Sequence, residues 1–354
     1  MPKRSIQTYS KSKWTFSYIA MLLLLAVVAA LGISVGSIPI PLFHVIKIIG
    51  ANVFHLGSLA TIDPTESTIV MDIRFPRVLL ALLVGGSLSL AGAAFQGLLK
   101  NPLADPYTLG VSSGASLGAV SVIFFGIQLP FVGAYTLPIV SIIAGFVTLV
   151  GVIVFARLVQ RNLTVETVIL TGILCSSFLG ALISLIIALT GDELRQVIGW
   201  LLGSVSMRGW AYVNLIAPFL ILGLLLLLAS ARELNALSFG QQEARHIGVN
   251  VKRHTMSVLL GASLLTGAAV AVSGTIGFVG LLIPHMVRMI WGGDHRHLLP
   301  LSMIAGGIFL VVMDIVSRLI VAPSELPIGV LTAIIGSPIF AFIFISYRRK
   351  KGTS

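Results

Sequence analysis

Arg74-Phe75-Pro76-Arg77 opens a charge-free run over residues 78–99, which closes at Lys100-Asn101-Pro102-Leu103-Ala104-Asp105-Pro106. A helix crossing a bilayer core needs about 20 predominantly apolar residues, and this run supplies them. Two arginines at one mouth and a proline-punctuated turn at the other frame it as a membrane span. Gly85, Ser89, Ala93 and Gly97 recur every fourth residue along it. Such a column of small side chains lets a second helix approach closely within lipid. The span is therefore expected to pack inside a bundle rather than merely anchor the chain.

The rest of the chain agrees. Its 354 residues are 56% hydrophobic and 10% charged, with a mean hydropathy of +1.04, whereas soluble domains carry about 25% charged residues. Lipid is the solvent that fits. The apolar runs are long and do not alternate with polar residues, which favours helices over a transmembrane barrel. Ten candidate spans follow: 14–37, 78–99, 108–125, 136–158, 167–189, 213–231, 255–272, 275–290, 298–320 and 328–345. The eighth is short and is interrupted by Gly274, Gly277, Gly280 and Pro284. The fold class is thus all-α, a polytopic membrane protein of about ten transmembrane helices.

Charge sets the orientation. With both termini cytoplasmic, only Lys47, Arg74, Arg77, Arg195, Arg208 and Arg318 of the 23 lysines and arginines face outward, as the positive-inside bias requires. The net charge of +11 therefore reports topology; basic residues interleaved with aromatics, as nucleic-acid binding would call for, are absent. The first apolar stretch, 19–40, is too long for a signal peptide and is expected to remain as the first helix. One transmembrane domain over 1–354 is expected, with an outer loop at 39–73, an outer short helix within 191–208 placing Trp200 and Trp210 at headgroup depth, and an inner loop at 232–254.

Few residues could carry chemistry. Asp314 and Arg318 stand one helical turn apart and can pair, either as a structural ion pair or with Asp314 holding a docking arginine. Glu166 suits a helix N-terminus. His285, His295 and His297 invite a metal reading, but Arg296 would oppose a cation, so no metal site is assigned. Cys175 is a small packing residue. No catalytic constellation, cofactor site or phosphate-binding loop is present, so any ATP must be bound by another chain. Gly240-Gln241-Gln242-Glu243-Ala244-Arg245-His246-Ile247-Gly248-Val249 is expected to form a short cytoplasmic helix closed by Gly248, either a solvated connector or a segment for a partner's groove.

Several stretches together resemble the FecCD family of permease subunits, which serve ATP-binding-cassette importers of iron–siderophores, haem and vitamin B12. They are Arg74–Arg77, Gly92-Ala93-Ala94-Phe95-Gln96-Gly97, Asn101–Pro106, Leu109-Gly110-Val111-Ser112-Ser113-Gly114-Ala115, Glu243–Val249, Gly274-Thr275-Ile276-Gly277-Phe278-Val279-Gly280-Leu281 with Pro284-His285, and Glu325-Leu326-Pro327-Ile328-Gly329. The resemblance implies a type II importer permease fold in a bacterial cytoplasmic membrane. Implied partners are ABC ATPase subunits, an extracytoplasmic substrate-binding (lipo)protein, and a second permease chain forming a homo- or heterodimer. It implies that Arg74, Arg77 and Arg318 face outward to dock the binding protein. Glu243, Ala244, Arg245 and Gly248 would couple to the ATPase. Asn101, Leu103 and the Leu163-Thr164 turn would form cytoplasmic gates, although Val165 and Glu166 stand where the vitamin B12 member has small hydroxyl residues. An iron(III)–siderophore complex is the expected cargo, with haem or cobalamin as alternatives within the family. An ion-coupled secondary transporter is the competing class; it would need acidic midplane residues, and the Gly274–Gly280 break shows no acidic companion in the sequence.

Overall fold

A proline early in its first turn and a left-handed Lys100 beyond its end bound the central helix, Phe75–Leu99. The closing turn is a Schellman arrangement, with the Asn101 N–H donating to the Gln96 carbonyl at 3.2 Å and the Lys100 N–H to that of Gly97 at 3.3 Å. Orphan carbonyls at the helix end are thereby satisfied. The computed structural model describes residues 11–36, 38–56, 62–160 and 164–352. Among these there is no strand. The helices are α1 Lys11–Ser34, α2 Leu42–Phe54, α3 Pro64–Thr68, α4 Phe75–Leu99, α5 Val111–Phe125, α6 Thr136–Val159, α7 Val165–Leu189, α8 Leu194–Leu201, α9 Gly209–Ala229, α10 Ala231–Leu237, α11 Gln241–His246, α12 Val251–Ser273, α13 Val279–Trp291, α14 His295–Leu319 and α15 Ile328–Gly352. Leu163 lies outside the described residues.

Each of the ten expected spans corresponds to a helix. Among the described residues seven helices are long and apolar enough to cross a bilayer, while α2, α5, α13 and the apolar part of α15, Ile328–Ile343, are shorter. The expected eighth span at 275–290 is corrected: the chain leaves α12 at Gly274 (φ 72°), runs unwound, and resumes helix only at Val279. The outer loop at 39–73 is also corrected, since it holds α2, α3 and a π-helical turn, Ile69–Arg74, that leads into α4.

α4 is the hub and packs against α14, α12, α13 and α9. Small residues on α4, Gly85 of the column and Gly92 beside it, explain the closeness. A Cβ on Gly85 would lie 2.2 Å from the Gly306 carbonyl of α14, and one on Gly92 would lie 1.8 Å from the Gly280 carbonyl of α13. Only glycine permits backbone-to-backbone contact at these points. A helix-interior glycine costs about 1 kcal/mol relative to alanine, and the dense packing it allows offsets that cost.

The unwound segment is tied to its neighbours by hydrogen bonds, as backbone at membrane depth requires. Tyr107 Oη donates to the Ile276 carbonyl at 2.9 Å and accepts from the Ile276 N–H at 3.1 Å. The Ser204 N–H donates to the Ser273 carbonyl at 2.7 Å. Trp200 is buried here with Val197, Ala115 and Ala119. Asp105 lines a small cavity with Gly277 and Phe278, so the break does have an acidic neighbour. Its carboxylate accepts the Tyr107 N–H at 2.9 Å, capping the 3-10 turn Pro106–Leu109.

Candidate functional site

The outer end of the bundle gathers Arg74, Arg77 and Arg318. The π turn and the start of α4 present the first two, and the last turn of α14 presents the third. All three sit at the outer mouth, but their guanidinium groups turn into the protein. Their exposures are 7%, 8% and 8%. The physical cause is the outer end of α1, whose last carbonyls have no helical partners. Arg74 Nη1 donates to the carbonyls of Ile33 (3.0 Å) and Ser34 (2.9 Å), and Nη2 to that of Ile38. Arg318 Nη2 donates to the Gly32 carbonyl at 2.9 Å and Nη1 to that of Val35 at 2.6 Å. Cations at a helix C-terminus also match the sign of its dipole. Gly36 clears the space, since a Cβ there would lie 2.7 Å from Arg74 Nη2.

Arg77 occupies the centre. Its Nη2 lies 2.8 Å from Asp314 Oδ1 and its Nε donates to the same oxygen at 2.9 Å. On its other side it forms a fork with Glu325, Nη1 to Oε1 at 2.7 Å and Nη2 to Oε2 at 3.0 Å. Planar guanidinium suits such paired contacts in a way that a lysine ammonium does not. Asp314 is fully buried and also pairs with Arg318 at 3.0 Å. The Asp314–Arg318 pair was legible in the sequence; the bridge to Arg77 and the part played by Glu325 were not. Glu325 lies in the loop before α15, and its side chain is 37% exposed. Burial pushes its carboxyl up, but the hydrogen bond and charge of Arg77 outweigh that and hold it below the ordinary glutamate value.

The inner end is built differently. In α11, Ala244 is buried while Glu243 and Arg245 are exposed. Gly248 (φ 87°) closes it: the Val249 N–H donates to the Ala244 carbonyl and the Gly248 N–H to the Arg245 carbonyl, both at 3.0 Å. This is a Schellman closure that needs the left-handed glycine. Phe239 and Ile247, 78% and 71% exposed, flank the helix. Thr164 caps α7, accepting the Thr167 N–H at 3.3 Å. A cavity of about 310 Å³ brings Thr164 together with Gln241 and Arg245 of α11. Asn101 and Leu103 stand apart from it in a tight turn in which Asn101 Oδ1 accepts the Leu103 N–H at 2.9 Å. The histidines have packing partners: His295 Nδ1 bonds Asn235 Oδ1 at 2.7 Å, and His297 stacks on Trp14 at 3.8 Å.

The FecCD transport family model matches residues 22–346. The chain is 56% identical over 333 residues to an uncharacterized ABC transporter permease protein, YvrB, of Bacillus subtilis strain 168, covering 94% of each chain. It is 40% identical over 290 residues to the cobalamin import system permease protein BtuC of Halobacterium salinarum, covering 80% of this chain and 74% of that one. A solved structure described as "An inward-facing conformation of a putative metal-chelate type ABC transporter" superposes with a TM-score of 0.80 at 32% identity, over 93% of this chain and 98% of the other. By this kinship the chain belongs to the FecCD transport family and is a transporter component, the permease subunit of a type II ABC importer in the bacterial cytoplasmic membrane.

Proposed function

We propose that this permease carries an iron(III)–siderophore complex inward, between itself and a second permease chain, driven by ABC ATPase subunits and fed by an extracytoplasmic binding protein. The likeness to a metal-chelate type transporter carries the substrate class. Val165 and Glu166, where vitamin B12 members are seen with small hydroxyl residues, favour an iron chelate over cobalamin. Cobalamin is the second reading, supported by the BtuC relative.

In this account α11, mounted rigidly by buried Ala244 and the Gly248 turn, couples to the ATPase, and Thr164 gates the inner end beside it, with Asn101 and Leu103 gating from their separate turn. At the outer end, acidic groups of the binding protein meet Arg77, the one arginine of the three whose partner, Glu325, reaches the surface. Arg74 and Arg318, already committed to the α1 carbonyls, supply field rather than free donors. Long-range charge speeds encounter and sets register more than it adds affinity.

Uptake of iron-55 siderophore chelates and of labelled cobalamin, in cells lacking the chain and in cells complemented with it, tests the substrate. The account expects complementation to restore chelate uptake and leave cobalamin unchanged; restored cobalamin uptake alone overturns it. Gly248→Val should abolish uptake with membrane insertion intact, because a β-branched residue is strained at that positive φ. Normal uptake by that variant removes α11 from coupling.

A further inference from the structure

Two cavities on the flank of the bundle merge into one feature that the transport cycle does not use. The first, about 400 Å³, is an apolar groove between α6, α9 and α12, walled by Phe146 and Leu149, Phe219, and Leu264. The second, about 500 Å³, lies at its cytoplasmic end and is lined by Arg157, Lys252 and Arg253 with Asn250. Leu226 and Leu260 line both, so the basic basin opens directly into the apolar groove.

The three cations are exposed, and none forms an ion pair with a carboxylate among the described residues. The neighbouring acid, Glu233, faces His254 at 3.9 Å. Lys252 and Arg253 also occupy the first turn of α12, which holds no acidic residue. Helix dipoles disfavour cations there. Three unneutralised charges are thus gathered at a site that favours an anion. The adjoining face of α6 is bare and apolar, with Val150, Val154 and Leu158 exposed by 44%, 51% and 79%, as a surface meeting lipid chains would be.

We propose that this cleft binds one anionic phospholipid of the inner leaflet, its phosphate held by Arg157, Lys252 and Arg253 and one acyl chain lying in the groove over Leu226 and Leu260. Basic pockets between transmembrane helices on the cytoplasmic side suit such headgroups. A free phosphate would use the basin but leave the groove empty; a lipid fills both. A protein partner seated in the groove would have to cover the bare apolar face of α6; Lys252 and Met256 also line the cavity beside α11, so the basin adjoins that cavity.

Native mass spectrometry of the purified permease–ATPase complex, delipidated and titrated with phosphatidylglycerol or phosphatidylcholine, tests this. Phosphatidylglycerol should bind preferentially, and the preference should shrink as salt rises. The triple variant Arg157→Gln, Lys252→Gln, Arg253→Gln should cut that preference about tenfold or more, and exposed substitutions of this kind leave the fold intact. Leu260→Trp, which blocks the junction, should weaken binding of both lipids while keeping the charges. Equal binding of the two lipids by the parent, an unchanged preference in the triple variant, or full competition by inorganic phosphate overturns the proposal. So does loss of the ATPase from the triple variant with lipid preference intact, which would assign the basin to that partner.

Discussion

α4 and α7 are both 25-residue apolar helices with a column of small residues every fourth position, yet one is the hub of the bundle and the other is nearly bare. In the most apolar stretch of α4, 83% of residues are buried; in that of α7, 6% are. On α4 the column meets the backbone of α14 at Gly85, and Gly92 beside the column meets that of α13. On α7, Gly172 presses on the Thr108 carbonyl (2.5 Å to an added Cβ), but nothing lies within 4 Å of a Cβ on Gly180. Leu170, Phe178 and Leu189, exposed by 60%, 66% and 64%, continue the open face. A small-residue column thus encodes close approach without naming the partner. For α4 the partner is this chain. For α7 it is lipid or, in the proposed dimer, the second permease.

The largest way to break this contrast is at the outer anchor of α4. Asp314→Ala leaves Arg77 and Arg318 buried without their shared carboxylate, and removing one member of a buried ion pair costs about 3–5 kcal/mol. The variant should lose most of its folded population in mild detergent, read by fluorescence-detected size exclusion after heating; parent-like melting would show that the network is ornamental. Next comes the close glycine contact of α4 beside the column. Gly92→Val must push the Gly280 backbone away, an overpacking cost of about 1–3 kcal/mol or more. Gly180→Val, into open space, should change stability by less than about 0.5 kcal/mol while weakening cross-linking between permease chains. Equal destabilisation by the two substitutions would erase the distinction between the helices.

The smallest effect is expected at Glu325. Glu325→Gln keeps the shape and removes a half-exposed charge, a loss of under about 1 kcal/mol. Its carboxyl is held below the ordinary value in the folded protein. Its contribution is therefore fully present above the unfolded glutamate value and fades as pH falls through the lower folded value. Thermal melting of parent and variant should converge with acidification; a gap that widens below pH 4 would contradict the pairing with Arg77.

Span positions were legible because apolar runs of membrane length leave little choice. Short and long-range features were not. The apolar stretch that became α2 is 13 residues, too short to read as a span, and His44 and Lys47 interrupt it. Arg77 and Asp314 are 237 positions apart, so no local spacing could pair them. Arginines that cap the carbonyls of α1 use backbone acceptors, which leave no residue signature at all. Gly248, by contrast, declared its turn because glycine is the residue that a left-handed helix closure demands.

The central claim is that this chain moves cargo only when another subunit supplies the work. Liposomes carrying the permease alone, and liposomes carrying it with its ATPase, ATP and loaded binding protein, measure that directly through accumulation of labelled ferric chelate. The account predicts accumulation in the second and none in the first. Uphill uptake by the permease alone, driven by an imposed proton or sodium gradient, would contradict it.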